Sequence, residues 1–181
     1  LSGYDKYDVV ACDECGFVYA DTKAGQQLYD RYYRDMSKYE SDYTTVDINR
    51  YMDQAELIYS LAGKNALKVA DIGCGNGGLL QALRLKGFND VCGIDPSAKC
   101  IEYIKSNGIK AYQGGLFSLK KEEKFGLIIL SHVLEHIVDV KEALASVMDV
   151  LQDDGLLYVE VPDSSAYFEN PVVPFYYFDT E

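Results

Sequence analysis

Val69-Ala70-Asp71-Ile72-Gly73-Cys74-Gly75-Asn76-Gly77-Gly78-Leu79-Leu80 decides how the chain reads. An apolar run breaks into clustered glycines and resumes with helical periodicity, which predicts a strand, a tight turn and a helix. Glycine at such a turn reaches positive φ cheaply and lets a ligand lie against the backbone. The helix that follows points its first free N–H groups at whatever the turn holds. The stretch is therefore a cradle for a nucleotide-like ligand. Gly73, Gly75 and Gly78 also satisfy the dinucleotide fingerprint G-x-G-x-x-G, with Asp95 twenty-two residues after Gly73.

The flanks favour a different ligand. Asp71 stands two residues before the first glycine, and the glycines run G-x-G-x-G at 73, 75 and 77. Three further stretches follow in order: Gly93-Ile94-Asp95-Pro96-Ser97, Leu130-Ser131-His132-Val133-Leu134-Glu135-His136-Ile137, and Asp154-Gly155-Leu156-Leu157-Tyr158-Val159-Glu160-Val161-Pro162. With these four motifs the sequence resembles the class I S-adenosylmethionine-dependent methyltransferases, small-molecule type, over about residues 65–163. The resemblance implies a doubly wound α/β fold, a mostly parallel Rossmann-like sheet, and S-adenosylmethionine as methyl donor with S-adenosylhomocysteine as product. It sets two alternatives aside without excluding them: a nicotinamide-dependent oxidoreductase on the same glycine turn, and a cofactor-fold module kept only for binding.

Outward from the cradle the chain alternates. Strands are predicted at Leu67–Ile72, Val91–Asp95, Ala111–Tyr112, Phe125–Ser131 and Leu156–Val161. Helices are predicted at Asp47–Leu61, stopped by Gly63, and at Leu79–Lys86, Ala98–Asn107 and Lys141–Leu151. Such alternation implies a parallel sheet covered on both faces, with ligands beyond the carboxyl ends of its strands. Every candidate falls at that edge: Asp71, Gly73, Cys74 and Gly75 on the first strand and its turn, Asp95 and Pro96 on the second, Gly115 and Leu116 after the third, Ser131 and His132 after the fourth.

Each candidate has a chemical reason. Asp95 offers two acceptor oxygens to vicinal ribose hydroxyls, or caps the helix after Pro96. Asp71 suits a methionyl ammonium, or pins the loop. Related methyltransferases often carry an acid after the third strand for the adenine amino group; here stand Gly114-Gly115-Leu116-Phe117, so backbone and apolar contacts are expected instead. Methyl transfer is an in-line displacement, and a base is needed only where the nucleophile must lose a proton. His132 is the candidate base, while Glu135 and His136 are expected to tie the loop to a helix. Cys74 lacks an adjacent activating base and is expected to be a small packing residue.

The first 46 residues form an expected appendage ahead of a core at 47–181. Cys12-Asp13-Glu14-Cys15-Gly16 lies between two β-rich runs and looks like half of a zinc knuckle, as in the amino-terminal module of sugar C-methyltransferases. Three readings stay open: a partner pair upstream in a longer chain, a pair from another subunit, or a metal-free hairpin. Gln26 to about Tyr43 is dense in tyrosine and reads either as packing or as a lid, with Tyr39 and Tyr43 the lid candidates, joined by Tyr176 and Tyr177 of the aromatic tail. After the fifth strand only Asp163–Glu181 remains, so the core is expected to be truncated. A net charge of −12 over 181 residues argues against a nucleic-acid partner, and no run approaches a membrane span. Five scattered cysteines point to a cytoplasmic protein without a disulfide framework. Oligomeric state is not legible.

Overall fold

A computed structural model describes residues 8–35, 46–63 and 68–163. Tyr39, Tyr43, Tyr176 and Tyr177 lie outside them, as do the start of the first core strand and the tail after residue 163.

The chain enters through a two-stranded antiparallel ribbon, β1 (Asp8–Ala11) and β2 (Val18–Asp21), whose turn carries both early cysteines. Helix α1 (Gln26–Asp35) follows. The predicted helix from Asp47 is in two pieces. Asp47 accepts from Asn49 N at 3.1 Å and caps a short 3₁₀ turn, Ile48–Tyr51, before α2 (Met52–Ala62) closes on Gly63 at φ 73°. An Asx cap that grips the N–H two residues on tightens the first turn, which sequence periodicity does not register.

The core then alternates as expected: β3 (Lys68–Ile72), α3 (Gly78–Lys86), β4 (Asp90–Asp95), α4 (Ala98–Ser106), β5 (Lys110–Gln113), β6 (Phe125–Ser131), α5 (Val140–Met148) and β7 (Leu151–Glu160). All pairs are parallel, in the order β5-β4-β3-β6-β7. The order reverses between β3 and β6, the switch point beyond whose carboxyl ends open α/β sheets hold their ligands. Phe125 to Leu130 are all buried, as a central strand covered on both faces requires. Alternate residues serve opposite faces. Val69, Leu127 and Ile129 meet Ala55, Ile58, Leu80, Leu83 and Ile104 of α2, α3 and α4. Ala70, Ile72, Ile128 and Leu130 meet Leu116, and Ala143 and Val147 of α5.

Two boundaries in this core differ from expectation by more than one residue. Helix α5 stops at Met148 rather than Leu151, because Lys124 Nζ donates to Asp149 O at 2.7 Å and Lys121 Nζ sits 2.6 Å from the Asp149 carboxylate. Cations that satisfy terminal carbonyls end a helix there. Lys121 and Lys124 thus work as a helix stop. The last strand begins at Leu151 rather than Leu156, with a register shift opposite Phe125–Leu127 that accommodates exposed Gln152, Asp153 and Asp154.

Candidate active site

Three glycines of the cradle carry left-handed backbone, Gly73 at φ 72°, Gly75 at 52° and Gly77 at 76°. A side chain would be strained at each. Two glycines outside that pattern are just as constrained by space. A Cβ on Gly78 would lie 2.2 Å from Tyr51 Cε2, so the tyrosine ring closes over the start of α3. A Cβ on Gly93, within β4, would lie 2.6 Å from Cys74 Sγ and 2.8 Å from Leu80 Cδ1. Gly93 therefore makes the room into which the loop tucks Cys74.

The turn is anchored to β4. Gly73 N donates to Ile94 O at 2.7 Å. Asp95 then clasps the loop with both oxygens, Oδ2 accepting from Gly75 N at 2.8 Å and Oδ1 from Ser97 N at 2.9 Å. The residue predicted to meet a ligand hydroxyl is thus also the pin of the turn. The actual cap of α4 is Ser97, whose Oγ accepts from Cys100 N at 3.4 Å. Each carboxylate oxygen keeps a second lone pair, so the pin retains acceptor capacity.

Asp71 is 3% exposed and Asp95 7% exposed. Burial, with the Asp95 charge added, pushes the Asp71 carboxyl up to about 8. Burial pushes Asp95 up to about 6, against the lowering pull of the Ser97 and Gly75 N–H groups. None of the ion pairs among the described residues brings a lysine or arginine to either acid. Two buried carboxyls to which the described residues bring no cation form a site that gains from a positively charged guest. The same burial, reinforced by those acids, raises the Cys74 thiol well above its ordinary value, which makes it a poor nucleophile.

Other predicted residues are divided by the structure. Pro96 lies half-buried beside the clasp, with its carbonyl accepting from Gln113 Nε2 at 3.1 Å. Gly115 is exposed beyond the end of β5, but Leu116 is 3% exposed and belongs to the core against α5. Ser131 is engaged sideways: Gln54 Nε2 donates to its Oγ at 2.9 Å, and that hydroxyl donates to Glu160 Oε2 at 3.0 Å.

His132 leaves β6 with φ 55°, the only non-glycine residue at positive φ among the described residues. Left-handed backbone costs a histidine about 1–2 kcal/mol, and here the N–H bond to Glu160 O at 2.9 Å holds it. Its half-exposed ring stands between two acids, Nδ1 3.3 Å from Glu135 Oε1 and Nε2 4.0 Å from Glu160 Oε1. His136 faces away and accepts or donates through Nδ1 to Tyr33 Oη at 3.0 Å, while Gln26 Oε1 accepts from Val138 N at 2.9 Å. Of the two residues expected to tie the loop to a helix, His136 does so, to α1, whereas the buried Glu135 carboxylate accepts no hydrogen bond among the described residues. Helix α1 accordingly docks against the loop at residues 136–138.

The sequence reading missed Gln54, Tyr158 and Glu160, which meet Ser131 from α2 and β7. Glu160 lay in a motif quoted for its strand, and its position at the strand end was the available signal. Among the described residues no three His, Cys, Asp or Glu side chains gather as a metal site. Cys12 and Cys15 are free thiols on an exposed turn, with the Cys12 thiol held below its ordinary value by the N–H groups of Cys15 and Glu14. Two thiols alone do not close a tetrahedral zinc shell.

A family model described as a methyltransferase domain matches residues 39–181. The chain belongs to this family. Membership decides between the methyltransferase and oxidoreductase readings that the glycines alone left open. This methyltransferase domain is 31% identical over 111 residues to a ubiquinone/menaquinone biosynthesis C-methyltransferase of Campylobacter jejuni, covering 56% of the chain and 47% of that protein. It is 27% identical over 155 residues to (S)-coclaurine N-methyltransferase of Papaver somniferum, covering 78% and 41%. The chain spans less than half the length of either relative. Among solved structures it resembles the plantazolicin methyltransferase in complex with S-adenosylhomocysteine, at TM-score 0.62 and 18% identity over 80% of this chain and 61% of that one. At that identity the likeness speaks for the fold. No helix of the described residues is long and apolar enough to cross a membrane.

Proposed function

We propose that this methyltransferase domain binds S-adenosylmethionine at the ends of β3 and β4 and transfers its methyl group to a small-molecule acceptor at the ends of β6 and β7. The observation that carries this reading is the buried Asp71–Asp95 carboxyl pair beside a left-handed glycine turn. The donor carries an ammonium and a sulfonium, and it supplies a methyl carbon bonded to a sulfur that leaves as a neutral thioether. A dinucleotide would instead bring its anionic pyrophosphate to the glycine turn, beside the buried acids.

The residues divide the work. Asp71 receives the ammonium, and Asp95 accepts from ribose hydroxyls with the lone pairs its loop contacts leave. The backbone of Gly73, Cys74 and Gly75 lines the methionyl side, with Pro96 and Gly115 flanking the base and Leu116 supporting it from the core. Ser131 fixes Glu160, and His132 stands over the line of approach as the proton acceptor. Tyr39, Tyr43, Tyr176 and Tyr177 cover the acceptor. We place a domain boundary near residue 46, Cys12 and Cys15 as half of a zinc site completed in a longer chain, and the reaction in the cytoplasm, where five unpaired cysteines are at home.

Calorimetric titration with S-adenosylmethionine, S-adenosylhomocysteine and NAD tests the cofactor. Saturable binding of the first two is expected. NAD binding in preference to both refutes the proposal.

A further inference from the structure

The described residues leave the start of α3 incomplete. Gln81 N makes the first helical bond, to Gly77 O at 3.1 Å, so the N–H groups of Gly78, Leu79 and Leu80 lie ahead of it, and Gly77 has no side chain to cap them. Asn76 Oδ1, just before the cap, is buried and accepts no hydrogen bond among the described residues. Bare donors and a bare acceptor thus stand together on the turn that follows Asp71. Tyr51, the last residue of the 3₁₀ turn that Asp47 caps, covers the same point. Its Cζ would lie 2.8 Å from a Cβ on Gly78, so the hydroxyl, one bond further, sits at the first turn of α3.

Packing holds the Tyr51 ring, which is half-buried against the core cluster of Leu79 and Leu80. Its hydroxyl makes no hydrogen bond among the described residues. Burial pushes that hydroxyl up, the Arg50 charge lowers it and the Asp71 charge raises it, so it lies within the fields of both a cation and an anion. An α-amino acid fits both halves of this arrangement. It carries on one carbon an ammonium, with three donor hydrogens, and a carboxylate, which only accepts. Asp71 supplies a counter-charge for the ammonium. A carboxylate brought so near two buried acids needs donors of its own, and bonds from N–H and O–H groups to an ionised acceptor are the strong ones.

We propose that Tyr51 is a specificity residue for the methyl donor: its hydroxyl, with the free N–H groups at the start of α3, binds the carboxylate of the donor's amino-acid end, while Asn76 Oδ1 joins Asp71 in accepting from the ammonium. The proposal rests on the methyl-transfer reading above and adds the residues that recognise the end of the donor remote from the reacting carbon. That end is the same before and after transfer. The contact therefore binds donor and product alike and lends nothing to the displacement itself.

Calorimetry on the full chain reads this with three ligands: S-adenosylhomocysteine, its decarboxylated form, which keeps the ammonium and lacks only the carboxylate, and methylthioadenosine, which lacks both. The wild type is expected to bind S-adenosylhomocysteine about thirtyfold tighter than the decarboxylated form. Tyr51→Phe keeps the ring on Gly78 and removes the hydroxyl. It should weaken S-adenosylhomocysteine about tenfold and leave the decarboxylated form and methylthioadenosine unchanged. Asn76→Ala should weaken the two ligands that carry the ammonium and spare methylthioadenosine, which gives a second variant should Tyr51→Phe not fold. A wild type that does not distinguish S-adenosylhomocysteine from its decarboxylated form, an unchanged S-adenosylhomocysteine affinity in Tyr51→Phe, or equal weakening of all three ligands by either variant would overturn the assignment. Failure of the wild type to bind S-adenosylhomocysteine overturns instead the methyl-transfer reading beneath it.

Discussion

Replacing Asp71 by asparagine isolates the charge of the cradle from its shape. The carboxyl titrates at about 8 in the fold because burial and Asp95 oppose its ionisation, against about 3.9 in an unfolded chain. A native pKa raised in this way means the folded state holds a proton that the unfolded state has released. Stability is then highest below about pH 4, falls as pH climbs toward 8, and levels off beyond. By pH 7 the loss attached to this one group reaches at most about 4 kcal/mol, and at pH 4 it is under about 1 kcal/mol. The amide has nearly the same shape and no charge to desolvate. Asp71→Asn should therefore match the wild type near pH 4 and exceed it increasingly up to pH 8, as urea denaturation at four pH values would show. The same substitution should weaken S-adenosylmethionine by about 1–3 kcal/mol, because the ammonium loses its counter-ion. Binding to the wild type at pH 7 should release a proton, seen as a calorimetric enthalpy that varies with the buffer, and this dependence should diminish in the variant. A stability difference that does not change with pH would refute the burial argument.

Asp95→Ala should cost more than ribose contacts alone, since it also frees the N–H groups of Gly75 and Ser97; a loss of about 1–3 kcal/mol in cofactor affinity together with a lowered melting temperature is expected. Gly93→Ala should destabilise the fold by about 1–3 kcal/mol by colliding with Cys74 Sγ, and Cys74→Ala in the same chain should recover part of that loss, measured as a double-mutant cycle. Cys74 in the native protein should react with thiol reagents far more slowly than Cys12, which mass spectrometry of the partly labelled chain would resolve.

The strand–turn–helix at Val69–Leu80, the alternation behind it and the sheet edge at which the candidate residues gather were all legible in the sequence, because strand and helix periods and glycine turns are local properties of a chain. The positions of Asp71, Asp95 and His132 at strand ends followed from the same pattern, as did family membership. Their surroundings did not. That Asp95 pins Gly75 and Ser97 depends on β4 lying beside β3. That Ser131 is drawn away by Gln54, 77 residues earlier, and by Glu160, 29 residues later, depends on α2 and β7 converging on the end of β6. Leu116 looked like a ligand wall from its place after β5, yet packing against α5 draws it into the core. Local sequence fixes period and turn. Burial, charge partners and the aim of a carboxylate belong to groups distant in the chain, and only the order of strands in the sheet brings those groups together.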